Sequence, residues 1–295
     1  MPPSVVLAAL AAVILWGASP VAAKVAVADL SPLSVAVLRT FLGGALAVPV
    51  ALCLRIGWPA QRRLQLILLL SGFCGFIAFP LMFTFGVHLT SANHASMILA
   101  ALPIFTGAIA MGWDRRRPTR IWIIGSLIAL VGEMVLIGGR AGMAGGAGSG
   151  TATVAGDALV LVSNLFASLG YVAGGRLQQA GYPSTGTTFW GAAAMALVLA
   201  PVMPVLWLRD EFAVSSVPAW SAIAYVAVVV TILGYVLWYW ALGRGGIARV
   251  GLIQFLQPVS GVILAAVLLG EGISLSFLLA SALVLSGVWL AIRGK

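Results

Sequence analysis

Charge is what this sequence has least of. Only 8% of its 295 residues are Asp, Glu, Lys or Arg, and acidic residues number 7. Soluble domains carry about 25% charged residues, so too little polar surface remains here to face water, and a soluble enzyme is excluded. Cysteine is nearly absent too. Cys53 and Cys74 both lie in apolar runs without a nearby second cysteine, which excludes a disulfide framework and a zinc site and leaves them as small apolar filler. Histidine is limited to His88 and His94, whose spacing does not put two ligands on one helical face, and no HExxH occurs. No glycine-rich loop ends in Gly-Lys-Ser/Thr, which removes the phosphate cradle of an ATP-driven pump. No cofactor is called for.

What the sequence has is apolar length. Hydrophobic residues make up 62% of the chain, and the mean hydropathy is +1.12. A span needs about 20 mostly apolar residues. Runs that meet this fall at 4–28, 33–54, 64–87, 90–113, 121–139, 157–175, 187–208, 219–242, 250–269 and 273–292. The first resembles a signal peptide around Val21-Ala22-Ala23, but no basic residue precedes it and it outruns an h-region of roughly 7–15 residues. The expected architecture is therefore an all-α membrane protein of ten transmembrane helices. An N-terminal repeat spans 1–140, a Gly-rich linker 141–156 and a C-terminal repeat 157–295.

The net charge of +9 would suit nucleic acid if the cations formed one face with aromatics between them. They sit instead in short clusters between apolar runs, such as Arg115-Arg116-Arg117, which is the mark of cytoplasmic loops. Both termini placed inside put Arg55, Arg62, Arg63, Arg120, Arg176, Arg244, Arg249, Arg293 and Lys295 there as well. Arg140 and Arg209 are left outside, with Asp29, Asp157, Asp210, Glu211 and Glu271. Nucleic acid is excluded as a partner. Lipid and a small-molecule substrate are expected, with a homodimer left open.

The two halves also echo each other. Pro103 matches Pro258, Gly132 matches Gly287, and the Leu30-Ser31-Pro32 corner matches Gly181-Tyr182-Pro183. Five spans per half, an odd number, would insert the second half upside down, as in secondary transporters whose substrate sits between repeats at the midplane.

These residues carry a family resemblance. Trp16-Gly17 followed by Lys24 and then Arg39, with Gln257-Pro258 and Gly270-Glu271 near the end, resembles the EamA-type drug/metabolite transporter superfamily over nearly the whole chain. The resemblance implies two inverted five-helix halves and export of small metabolites across the bacterial inner membrane. Among its branches the sequence is most similar to bacterial aromatic amino-acid exporters. It departs from its own symmetry where Asp114-Arg115 stands in place of a Gly-Glu pair.

Polar residues inside spans are costly unless satisfied, and here several fall at helical spacing. Asn164, Ser168 and Tyr171 form one stripe. Gln254 and Gln257 form another, Thr231, Tyr235 and Trp238 a third, Trp16 and Ser19 a fourth, Asn93 and Ser96 a fifth. One stripe alone is explained by interhelical hydrogen bonds worth about 0.6–2 kcal/mol each. Five stripes in both halves point to a shared polar cavity. The candidate substrate-binding set is Trp16, Ser19, Phe79, Phe83, Asn93, His94, Asn164, Ser168, Tyr171, Trp190, Tyr235, Gln254 and Gln257. Lys24, Arg39 and Glu133 lie at similar depth and are expected to form structural ion pairs. The expected activity is secondary export by alternating access, with a passive facilitator as the rival reading.

Overall fold

The structure, a computed structural model, describes residues 1–115, 117–138, 153–209, 216–273 and 275–293. Of residues 133, 136–138, 248, 249, 252, 255, 276, 288 and 292 it describes only the backbone. Every regular element among the described residues is helical. An apolar chain in lipid has no water to satisfy its peptide groups, and the helix satisfies them within one segment. In chain order the helices are α1 (Pro3–Ala26), α2 (Pro32–Cys53), α3 (Arg62–Leu89), α4 (Ala92–Trp113) and α5 (Arg120–Gly138). Then come α6 (Val154–Gln179), α7 (Ser184–Leu199, continued past a 53° bend by Val202–Leu208), α8 (Val217–Gly245), α9 (Leu256–Leu269) and α10 (Leu275–Arg293).

Six of these, α1 to α4 with α6 and α8, are long and apolar enough to cross a bilayer, and α7 is a seventh if its two arms make one span. Among the described residues α5, α9 and α10 contribute shorter apolar runs. Each span expected from the sequence thus has a helix, but three of the helices fall short of spanning length there. After the linker, α6 opens at Val154, where the Thr153 hydroxyl accepts from Gly156 N. The Gly-rich stretch 139–152 lies outside the described residues.

The prolines do more than bend helices. Pro20 follows a break after Gly17, Pro80 follows a π-helical turn (Phe73–Ala78), and Pro103 follows a 3-10 turn (Leu99–Ala101). Pro258 likewise follows a 3-10 turn, Gly251–Phe255. A proline has no N–H for the carbonyl four residues back, and a local change of helix type redistributes the carbonyls left over.

Helices at matching places in the two halves pair with each other: α2 with α7, α4 with α9, and α5 with α10, while α1 packs on α8 and α3 on α6. Glycine permits the closest of these approaches. Gly132 faces the backbone of Val284, and its counterpart Gly287 faces the backbone of Ala129. Helices α5 and α10 run antiparallel, since Gly125 lies against Ala291 whereas Gly132 lies against Val284. Likewise α4 begins where α9 ends, with the Glu271 carboxylate accepting the N–H groups of Ala92 and Asn93 at 2.8 Å each.

The corners follow the same reciprocity. In the α1–α2 turn the Asp29 carboxylate accepts Ser216 N–H (3.0 Å) at the start of α8, and hydrogen bonding from the Ser216 side chain and then from this N–H holds the carboxyl below its ordinary range. In the α6–α7 turn, which needs Gly181 at φ +86°, Tyr182 donates to Gly57 O at 2.9 Å before α3, and partial burial pushes its phenol up to about 12.

Candidate functional site

The π-helical turn of α3 has a partner in α8, where Tyr225–Gly234 is wound the same way. A π turn leaves its carbonyls poorly served, and such turns gather at functional sites. Here side chains serve them, most from other helices and one, Thr231, from the turn itself. In α3, Tyr235 donates to Gly75 O (3.1 Å) and Thr40 to Phe76 O (2.5 Å), the carbonyl that Pro80 leaves without an N–H. In α8, Thr231 donates to Val226 O (2.7 Å) and the Trp16 indole to Val230 O (3.0 Å). Two wide turns, one in each half, are therefore latched across the middle of the molecule.

Four rings fill the space between them. Trp16 stacks on Tyr171 at 5.5 Å with only 8° between the planes, and meets Tyr235 edge-on at 5.1 Å and Trp238 at 5.4 Å. Phe76 tilts against Tyr235 at 4.7 Å, and Tyr239 joins through Tyr235 at 5.6 Å. Trp16 is 3% exposed, so the cluster is closed to solvent in this conformation. Below it Tyr239 and Ser71 share a hydrogen bond (3.0 Å), and Ser71 donates to Gly170 O at 2.9 Å. A side chain at Gly234 would collide with the Trp16 indole, and one at Gly174 with the Tyr239 ring. Glycine at those two positions is what lets the rings seat.

Among the described residues, other buried polar groups lack partners. Gln254, in the 3-10 turn before α9, is 1% exposed, and neither its amide oxygen nor its amide nitrogen has a hydrogen-bond partner; Gln257 Oε1 is in the same position. Gln257 also lies beside α1, its carbonyl facing Gly17. Arg39 of α2 is 1% exposed; its Nη2 reaches Thr231 Oγ1 at 3.5 Å, the outer limit of a hydrogen bond, and its Nε has no partner. Buried groups without partners are rare enough that each invites an explanation.

Several expected site residues lie elsewhere. Asn164 donates to Ile98 O (2.7 Å) and Ser168 to Leu102 O (3.2 Å), carbonyls on either side of the 3-10 turn before Pro103. These two bonds mend α4's backbone, while Ser168 Oγ also accepts from the Thr106 hydroxyl at 3.0 Å and Asn164 Oδ1 has no partner among the described residues. Asn93 and His94 sit at the opening of α4. Asn93 Nδ2 donates to Gly272 O at 3.4 Å, while His94 Nδ1 lies 3.1 Å from the fully buried Asp157, which also accepts from Thr90. Trp190 donates to Ile56 O and packs edge-on against Trp58, at the loop between α2 and α3. Phe79 and Phe83 stack on each other at 5.3 Å, and it is Phe76, one turn earlier, that reaches the Trp16 cluster through Tyr235. Ser19 is buried just past the break in α1.

Of the expected ion-pair residues, Lys24 and Arg39 have described side chains. Lys24 donates to the carbonyls of Thr90 (2.6 Å) and Val87 (3.1 Å) rather than to a carboxylate, because α3 ends there with carbonyls to spare. The side chain of Glu133 lies outside the described residues, and so does any pairing through it.

Sequence reasoning missed Thr40, Ser71, Phe76 and Tyr239. Tyr239 was open to discovery, four residues beyond Tyr235 on the same helical face. The other three had no such signal, because their partners are backbone atoms of distant helices or a ring brought close by the π turn.

Comparisons with known proteins agree with this architecture. A family model described as the EamA-like transporter family matches residues 3–138 and again 154–293, once in each half. An uncharacterized transporter of Bacillus subtilis, YdeK, is 36% identical over 266 residues, covering 88% of this chain and 86% of that protein. A probable amino-acid metabolite efflux pump of Salmonella typhimurium is 28% identical over 97% of this chain and 94% of its own. A probable terminal-alkyne amino-acid exporter of Streptantibioticus cattleyicolor is 26% identical over 80% of this chain and 75% of its own. A solved crystal structure superposes with a TM-score of 0.64 at 20% identity, over 99% of this chain and 97% of its own, which is a likeness of fold.

Proposed function

Because this chain belongs to the EamA-like transporter family, we propose that it is a secondary exporter of small amphipathic metabolites, amino acids foremost and aromatic ones among them. It works by alternating access. The observation that carries this reading is the buried junction of the two halves, where Trp16 of α1 and three other aromatic rings cluster, and the segment packed on α1 carries buried amide groups that have no partner among the described residues. Rings suit an apolar side chain, and an amide offers both donor and acceptor to a charged headgroup. The names of the two amino-acid exporting relatives lend support to the substrate class.

On this reading Trp16, Tyr171, Tyr235, Gln254 and Gln257 contact substrate when the latched turns part. Asn164, Ser168, Asn93, His94, Trp190, Phe79 and Phe83 hold the frame around them. The prediction is saturable flux of aromatic amino acids by the purified chain in liposomes, stimulated by an imposed pH gradient. Flux that never saturates would favour a passive facilitator. Flux of none of the amino acids in a broad panel would defeat the reading.

The same proposal includes ten spans in two inverted five-helix halves, supported by the pairing of matched helices and the antiparallel run of α5 and α10. It places the protein in the bacterial inner membrane with both termini and the loops around Arg62 and Arg116 in the cytoplasm, from the Lys/Arg asymmetry. A cysteine introduced at position 62 should then react with an impermeant thiol reagent only after the membrane is opened. Reaction in intact cells would reverse the orientation.

A further inference from the structure

Among the described residues, Lys24 and Arg176 show how cations of this molecule are answered. Lys24 has two carbonyls at 2.6 and 3.1 Å. Arg176 has the Asp114 carboxylate at 2.5 Å and Gln179 at 3.0 Å, although its Nε, like that of Arg39, has no partner among the described residues. Arg39 is more deeply buried than either, yet among the described residues it has no carboxylate. Its described contact is one long bond to a threonine hydroxyl, and its Nε is unpartnered. Guanidinium carries five N–H donors and does not deprotonate in proteins. A buried charge left this short of partners costs several kcal/mol, a cost that a fold keeps only where something else meets it.

Its position says what that is. Arg39 and Thr40 are consecutive on α2 and reach both latched turns, Thr40 through Phe76 O in α3 and Arg39 through Thr231 in α8. Thr231 follows Val230, whose carbonyl the Trp16 indole holds. The guanidinium thus reaches the residue next to the one that Trp16 latches, at the junction of the halves. A planar fork of N–H groups matches a carboxylate with two parallel, charge-assisted bonds.

We propose that Arg39 is the anion anchor of the transport site, binding the carboxylate of a small organic acid or amino acid whose apolar part lies against Trp16, Tyr171 and Tyr235. This rests on the export reading and goes beyond it by requiring a carboxylate on the cargo. A carboxylate arriving at Arg39 would compete with Thr231 for the guanidinium, so loading would loosen one of the contacts that tie α2 to the π turn of α8.

The test uses the full-length protein and matched ligands that differ only in the acid: phenylalanine against phenylalaninamide, and 3-phenylpropionate against 3-phenylpropionamide. Binding is read as ligand-induced thermal stabilisation, in the wild type, in Arg39→Lys and in Arg39→Gln. The expected result is that each acid binds the wild type about tenfold or more tightly than its amide, as loss of a charge-assisted bond implies. Arg39→Lys should keep part of that preference, and Arg39→Gln should bind acid and amide alike. Equal binding of acid and amide by the wild type overturns the proposal, as does absence of binding by both acids. A folded Arg39→Gln that still prefers acids also overturns it. If Arg39→Gln does not fold, the wild-type comparison and Arg39→Lys decide. The two readings fail separately. Saturable amino-acid flux with no preference for the acid would remove the anchor and leave the exporter. Binding of phenylpropionate without flux of any amino acid would keep the anchor and remove amino-acid export.

Discussion

Gly125→Val is expected to abolish the folded protein. A Cβ at position 125 would lie 2.2 Å from Ala291 N, 2.6 Å from its Cα and 2.6 Å from Gly287 O. All three are backbone atoms, so no rotamer change relieves them, and α5 and α10 must move apart. Separation would undo the whole antiparallel seam, in which Gly132 meets Val284 and Gly287 meets Ala129. Membrane helices gain no hydrophobic driving force from meeting one another, so van der Waals fit of small residues supplies most of their association. Overpacking a fitted core costs about 1–3 kcal/mol, and a clash with backbone belongs at or above the upper end. Against a total stability of about 5–15 kcal/mol, that loss should appear as little monodisperse protein after detergent extraction. Gly112→Val is the control, since a Cβ there meets nothing within 4 Å. Normal yield and thermal stability in Gly125→Val would show that α5 and α10 do not need this contact.

The seam also shows what the sequence reveals and what it hides. Gly132 and Gly287 stand out as matching residues in the two halves, and in space they make matching contacts. Long apolar runs announce helices because lipid leaves the backbone no other choice. The polar stripes are read less well. Asn164 and Ser168 look like cavity lining by their spacing, yet they donate to Ile98 O and Leu102 O. The need for them is created by Pro103 and its 3-10 turn, far away in the chain, and a carbonyl left without a donor writes nothing into its own side chain. The same holds for the π turns of α3 and α8, which bring Thr40, Ser71 and Phe76 into the centre without any periodic signal. Trp16 is the opposite case. A large indole in the middle of a span, just before Gly17, stood out among the tryptophans that sit at span ends, and it proves to be the hub of the ring cluster.

Trp16→Ala should change what the protein transports, and Trp16→Phe should show why. The indole has two jobs here. Its ring packs against Tyr171, Tyr235 and Trp238, and its N–H holds Val230 O in the π turn of α8. Phenylalanine keeps a ring and drops the hydrogen bond, at a cost of about 1 kcal/mol plus whatever Val230 O loses by being buried without a donor. Alanine drops both, and deletion of a buried tryptophan side chain costs about 3–5 kcal/mol. Folded yield should therefore fall in the order wild type, Trp16→Phe, Trp16→Ala. Selectivity is the more telling readout, measured as flux per folded molecule. Ring-on-ring contact is worth about 0.5–1.5 kcal/mol beyond burial, or about 2- to 10-fold in rate. Trp16→Ala should lose that factor for phenylalanine, tyrosine and tryptophan relative to alanine or serine, whereas Trp16→Phe should keep most of it. Gln254→Leu, which removes an amide rather than a ring, should slow all amino acids by a similar factor. If the indole serves only to latch the turn, Trp16→Phe and Trp16→Ala will slow every substrate in proportion and leave their ratios as in the wild type. Unchanged ratios in a well-folded Trp16→Ala would remove the indole from the substrate's path and leave it a purely structural latch.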